Sequence, residues 1–215
     1  MPIKTVSARR KPAAKPTFDR TRPVSWSFFS SFEYDPEQWY RKYVLGKPDR
    51  PSPEMEFGKK FADSCEARRP LAPVTLLSKV EQEFSTVFEG MPMIGFADTY
   101  DDVTKKAIGE FKTGVKPWDQ KRVDDHGQIT MYCLMNWLIN KVRPEDTKLF
   151  LQWVPTRKID QDGGDFSQHD YRVDFAMPIK VHTFNTKRTM KDVVVFGARI
   201  KRLYKEMDEY CKNHA

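Results

Sequence analysis

The stretch Ile108-Gly-Glu-Phe-Lys-Thr-Gly114 constrains the chain most tightly. Apolar residues running into a glycine predict a β-strand that ends in a turn. A strand alternates faces with period two, so Glu110 and Lys112 project from one side and Phe111 from the other. An acid and a lysine side by side at a strand end make a common salt-bridged surface pair. They also make half of a metal-dependent site for cutting phosphodiesters. The flanking chain decides between these readings.

Around that stretch the hydrophobic pattern predicts an antiparallel meander. Its strands are 84–88, 93–101 and 106–112, with turn residues Glu89-Gly90 and Asp101-Asp102 between them. Upstream, Ser25-Trp-Ser27 precedes an aromatic run and suits a helix start. Asp35-Pro36 suits a second start, with proline at the first helical position. Trp39, Tyr40 and Tyr43 are spaced for one face of that second helix. A further helix from about Glu54 carries Phe57, Gly58, Phe61, Cys65 and Glu66 and ends before Pro70, and 71–83 reads as a loop and a short strand.

Downstream, 122–140 reads as one helix with Ile129, Cys133 and Trp137 on a stripe. Residues 148–154 are apolar on both faces, as in a central strand. Residues 171–181 alternate cleanly and predict one half-buried strand, near an edge because Pro178 cannot donate to a ladder. A polar loop, 156–169, separates these two strands. Thr189-x-x-Asp192 resembles a capping box opening a helix with Phe196, Ile200, Leu203, Met207 and Cys211 on one side. The order is helices, meander, helix, two strands, helix: an α/β domain with a mixed sheet.

Charge matters for where it sits. The 215 residues carry 37 Lys and Arg against 30 Asp and Glu, a net +7. Residues 1–24 hold seven of the basic groups (Lys4 through Arg22) and one acid, Asp19, so the remainder is close to neutral. The expected organisation is a basic, flexible tail over 1–24 and one domain over 25–215. Such an arm is attracted to polyanions or is simply a solvated leader. No apolar run approaches the roughly 20 residues that span a bilayer, and no secretory signal pattern is present. Cys65, Cys133 and Cys211 are far apart without CxxC spacing, which points to reduced thiols in a cytoplasmic setting, and the Arg-rich leader lacks the amphipathic pattern of an organelle transit peptide.

Asp98, in Gly95-Phe-Ala-Asp98, sits at the exit of the strand that precedes Glu110. A hairpin between them brings both carboxylates to one sheet end. Two carboxylates about 4 Å apart repel by roughly 4 kcal/mol at an effective dielectric near 20. A raised pKa, an adjacent cation such as Lys112, or a divalent metal must offset that. Hard oxygen ligands with one lysine describe a Mg²⁺ or Mn²⁺ site that binds a scissile phosphate.

Further motifs stand in order along the chain. Gln128 and Tyr132 lie at i, i+4 on a helix, and Gly58-x(7)-Glu66 lies on the helix before the meander. With Ser25-x-Ser27, Asp35-Pro36, Gly95-Phe-Ala-Asp98 and Glu110-Phe-Lys112-Thr-Gly114, the chain resembles the PD-(D/E)XK nuclease superfamily, specifically its RecB-type exonuclease branch, from about Ser25 onward. The resemblance implies a restriction-endonuclease-like core, a central mixed β-sheet flanked by helices. It implies a Mg²⁺- or Mn²⁺-dependent deoxyribonuclease that leaves 5′-phosphate and 3′-hydroxyl ends. Asp98 and Glu110 match the metal-binding acids, Lys112 the catalytic lysine and Glu66 the acid of the early helix. Gln128 and Tyr132 match the motif that supports the site and contacts DNA. DNA is the implied partner, with a helicase, a recombinase or a second copy as the source of processivity.

Two departures stand out. Ala62 occupies the place where the early motif carries histidine, which lowers metal affinity, shifts metal preference, or marks a site built on acids alone. Asp35 replaces the cysteine of cluster-bearing relatives, so no iron–sulfur cluster is expected. Lys116 and Trp118, just past Gly114, are placed to touch a DNA strand, since aromatic stacking on a base is worth ~1–3 kcal/mol; Trp118 serves equally as a loop anchor. His126 reads as a surface helix residue. The competing function is a nuclease-fold module that binds nucleic acid in a recombination, repair or phage complex without cutting it. A structural protein with a fortuitous acid–lysine pair is the third reading.

Overall fold

The computed structural model describes residues 18–47, 50–160 and 171–214. Three helices come first: α1 (Trp26–Tyr34), α2 (Pro36–Tyr43) and α3 (Pro53–Glu66). Asp35 caps α2 by accepting the Gln38 N–H at 3.0 Å, and Pro36 fills its first position. Ser52 caps α3 in the same way, again followed by proline.

The strands β1 (Lys79–Phe88) and β2 (Met91–Tyr100) form a hairpin closed by Glu89 and Gly90, both with positive φ, as a two-residue turn requires. The chain then enters β3 (Ala107–Gly114), antiparallel to β2. Next come α4 (Gln120–Asp124), α5 (Gly127–Asn140), a short 3₁₀ turn (Pro144–Asp146) and β4 (Lys148–Asp160), which runs parallel to β3. Strands β5 (Tyr171–Phe175) and β6 (His182–Thr186) and the long helix α6 (Met190–His214) complete it. The sheet is therefore mixed and flanked by helices, the expected fold class.

One large core packs α1, α2, α5 and α6 against the sheet through Phe29, Trp39, Met93, Ile108, Tyr132 and Ile200. A second, smaller core forms around α3, with Phe61, Cys65, Phe111, Phe150 and Phe175. Burying side chains of this size contributes about 1.5–3 kcal/mol each. The α6 capping box forms as its sequence predicts: Asp192 Oδ2 accepts the Thr189 N–H at 2.7 Å, and Thr189 Oγ1 accepts the Asp192 N–H at 3.2 Å.

Four expectations are corrected. Residues 122–140 are not one helix. Asp119 caps the short α4, His126 turns extended, and α5 begins at Gly127, packed so tightly that a Cβ there would lie 2.1 Å from the Trp26 ring. The buried Arg188 guanidinium spans this break, donating to Val123 O at 3.2 Å and His126 O at 3.4 Å. Of residues 171–181 only Tyr171–Phe175 forms a strand, β5, and a second one, β6, starts beyond them at His182. β4 is long enough that β6 pairs with its first half and β5 with its second, and the segment around Pro178 crosses between them.

Thr156–Asp160, expected in a loop, extends β4, while the remainder of 156–169 lies outside the described residues. Finally, part of the basic leader packs on the domain. Phe18 stacks on Phe28 and meets Trp39 and Tyr204 edge-on or tilted, Arg20 pairs with Asp208, and Val24 bridges to Met93. Residues 1–17 lie outside the described residues. Among the described residues no helix is long and apolar enough to cross a membrane.

Candidate active site

β2 and β3 pair at only two positions, Thr99 with Gly109 and Tyr100 with Ile108, and then diverge. Where the ladder would continue, the Asp98 carboxylate inserts and Oδ2 accepts the Phe111 N–H at 2.5 Å. β3 meanwhile stays paired to β4 along its whole length. The divergence opens a cavity of about 460 Å³, lined by Glu81, Asp98, Glu110, Phe111, Lys112 and Thr113 of the sheet and by Gly58, Phe61, Ala62 and Cys65 of α3.

Period two places Glu110 and Lys112 on the α5 side of β3, and Phe111 on the α3 side, where it meets the Phe61 ring. Lys112 Nζ donates to Glu110 Oε1 at 2.6 Å and to Gln128 Oε1 at 2.9 Å. Gln128 Nε2 donates to the Tyr132 hydroxyl at 2.6 Å, and that hydroxyl donates to Phe96 O. The relay ties α5 to both diverging strands and fixes which way the Gln128 amide faces. Residue 109 must be glycine: a Cβ there would lie 2.3 Å from Phe150 and 2.6 Å from Thr99.

This is not a surface ion pair. Glu110 is only 2% exposed. Its Oε2 is buried and, among the described residues, has no hydrogen-bond partner. Burial, reinforced by the Glu110 charge and opposed by Lys112, pushes the Asp98 carboxyl well above the usual carboxylate range. Burial also raises Glu110 against the pull of Lys112. Burial would lower Lys112, but the charges of Glu110 and Asp98 outweigh it and hold the ammonium protonated. Three carboxyl groups and one ammonium line the cavity; ionised together, they would leave it two positive charges short.

That shortfall, hard oxygen donors and one orphaned buried oxygen fit a divalent cation such as Mg²⁺ or Mn²⁺. Among the described residues no group of three His, Cys, Asp or Glu side chains is placed to hold a metal ion together. As the side chains stand, Asp98 and Glu110 plus water are the donors that fit.

The sequence-expected residues are distributed unequally. Asp98, Glu110, Lys112, Gln128 and Tyr132 come together. Glu66 is exposed at the last position of α3 and outside the cavity lining, while its charge still acts on Glu81 of that lining. Lys116 is exposed beyond the strand end. Trp118 is half-buried, with the Arg122 guanidinium 3.8 Å over its ring and His126 against its edge. His126 is no surface residue: its Nδ1 is buried without a partner.

Sequence reasoning passed over Glu81. The pairing of Val80 with Thr99 and Gln82 with Ala97 places it across from Asp98. Its φ of 52°, left-handed in the middle of a strand, is not a property that a glutamate in a polar stretch advertises.

No family model matches the chain, and no curated protein matches it in sequence. Among solved structures, a candidate exonuclease from Eubacterium rectale superimposes with a TM-score of 0.58 at 11% identity, covering 87% of this chain and 82% of its own. Protein SSO0001 aligns over 84% of this chain and 68% of its own at 12% identity, with a TM-score of 0.33 that carries no weight. The first likeness shows a shared fold: this chain has the architecture of that candidate exonuclease.

Proposed function

We propose that the chain is a metal-dependent deoxyribonuclease of the RecB-like type, acting as an exonuclease or in DNA-end processing. The observation that carries this reading is the meeting of Asp98, Glu110 and Lys112 at one polar cavity, with Glu110 Oε2 buried and, among the described residues, unpartnered. The fold shared with a candidate exonuclease supports it. Asp98 and Glu110 would hold Mg²⁺ or Mn²⁺, which when bound polarises a phosphate and acidifies a water.

Lys112 is an ammonium with three donors, two of them used on Glu110 and Gln128. The third is free to hold the attacking water or a phosphate oxygen. A protonated lysine cannot take a proton, so its work is orientation and charge stabilisation. Gln128 and Tyr132 fix the ammonium from behind. Lys116 and the Trp118–Arg122 stack, on the segment leaving β3, offer DNA a cationic and aromatic surface.

Replacing Asp98 or Lys112 by alanine should abolish metal-dependent DNA degradation and leave the circular-dichroism spectrum intact. Undiminished cleavage by a clean preparation of either variant would refute the assignment. One observation favours a second reading, a module that holds nucleic acid without cutting: Ala62 lines the cavity on the α3 side and offers no ligand there. DNA binding without cleavage in either metal would favour that module.

A further inference from the structure

We infer that Glu81 is the third acid of the metal site, supplying from β1 a donor that Ala62 cannot supply from α3. The inference rests on the metal-dependent reading above: the three carboxylates, from three adjacent strands, do not form a ligand set as placed, and they complete one when the Glu81 side chain turns toward Asp98 and Glu110. Glu81 lines the same cavity as Asp98 and Glu110 and lies across the strand pair from Asp98. Directly opposed residues of an antiparallel pair bring their side chains together.

Glu110 supplies the independent sign that something is to be bound. Its side chain is 3% exposed, it lines the cavity, and, among the described residues, Oε2 has no partner. Glu81 is half-buried in the same lining. Burial, and then the charges of Glu66, Glu110 and Asp63, act on its carboxyl. Among the described residues no hydrogen bond or ion pair holds the Glu81 side chain against rotation toward Asp98 and Glu110.

Backbone geometry points the same way. Glutamate at φ 52° in mid-strand is disfavoured sterically, and only glycine adopts that conformation without cost. A side chain kept there against its own backbone preference is a feature of sites built for a ligand. All-oxygen donors without imidazole also set a preference: hard Mg²⁺ and Mn²⁺ over Zn²⁺, which favours nitrogen and sulfur ligands.

The test measures Mn²⁺ binding to the full chain by isothermal titration calorimetry, alongside metal-free melting temperature, for wild type, Glu81→Gln, Glu81→Gly, Glu66→Gln and Glu110→Gln. Glu81→Gln and Glu81→Gly should each weaken Mn²⁺ by about tenfold or more. Both should also raise the metal-free melting temperature, because like-charge repulsion and, for glycine, the backbone conflict are removed. Losing affinity while gaining stability is not what a merely structural residue does. Wild-type affinity in both Glu81 variants, with binding lost in Glu110→Gln, overturns the role of Glu81 and leaves the nuclease reading standing. A larger loss at Glu66→Gln than at Glu81→Gln overturns it equally. No Mn²⁺ binding by wild type overturns both. Glu81→Gly keeps the test decisive should Glu81→Gln fail to fold.

Discussion

Lys112→Met in metal-free protein probes the charge arrangement directly. Lys112 Nζ stands 2.6 Å from Glu110 Oε1, and the two side chains are 27% and 3% exposed. At an effective dielectric of 20 that separation corresponds to about 6 kcal/mol of gross attraction. Much of it offsets the desolvation of both charges. Removing only the lysine leaves Glu110 buried and uncompensated, a change that costs about 3–5 kcal/mol in such pairs. The lower end, about 3 kcal/mol, suits this site because the lysine end still meets solvent.

Urea denaturation at neutral pH without metal measures it. The double variant Glu110→Gln/Lys112→Met, with neither charge, should recover about 2 kcal/mol of the loss. Without its lysine the Glu110 carboxyl is raised further above its unfolded value. A raised acid contributes stability below the ordinary carboxylate pKa and loses it as pH rises, so the deficit of Lys112→Met should shrink on acidification. A single-variant loss under 1 kcal/mol, or a double variant no more stable than Lys112→Met, would refute the buried-pair account.

Three more outcomes follow from particular contacts. Gly→Ala ordinarily stabilises a helix by about 1 kcal/mol, but Gly127→Ala should destabilise by about 1–3 kcal/mol because the methyl enters the Trp26 ring; a thermal melt checks the sign. Tyr132→Phe removes the hydroxyl between Gln128 and Phe96 O. It should cost about 1–2 kcal/mol of stability and lower the cleavage rate beyond what the unfolded fraction explains, as single-turnover kinetics would show. Burial, with Lys112 and Arg122 nearby, holds His126 at about 3, below its ordinary 6.5. Between those values the unfolded chain binds the extra proton, so stability should fall as pH drops through that window. Denaturation midpoints of His126→Gln should show a flatter dependence.

Much of the site was legible in local pattern. Glu110, Lys112 and Asp98 follow from a strand period and a hairpin, and the caps at Asp35 and Thr189 from short-range hydrogen bonding. What stayed hidden depends on contacts between distant segments. The break before Gly127 is set by Trp26 and by Arg188, which is 61 positions downstream of that glycine, so a continuous apolar stripe reads through it. The alternation of 171–181 does not reveal that the length of β4 lets two strands share its edge. Glu81 was illegible for a related reason: its value lies in facing Asp98 across a strand pair whose register the local sequence does not fix. Glu66 matched a spacing, yet its place at the end of α3 leaves it outside the cavity.

The most direct measurement is incubation of wild-type protein with end-labelled single- and double-stranded DNA in Mg²⁺, in Mn²⁺ and in a chelator, with Asp98→Ala in parallel. The account predicts release of 5′-phosphate products in at least one metal, none in chelator and none with Asp98→Ala. Intact DNA in both metals, or equal degradation by Asp98→Ala, would contradict it.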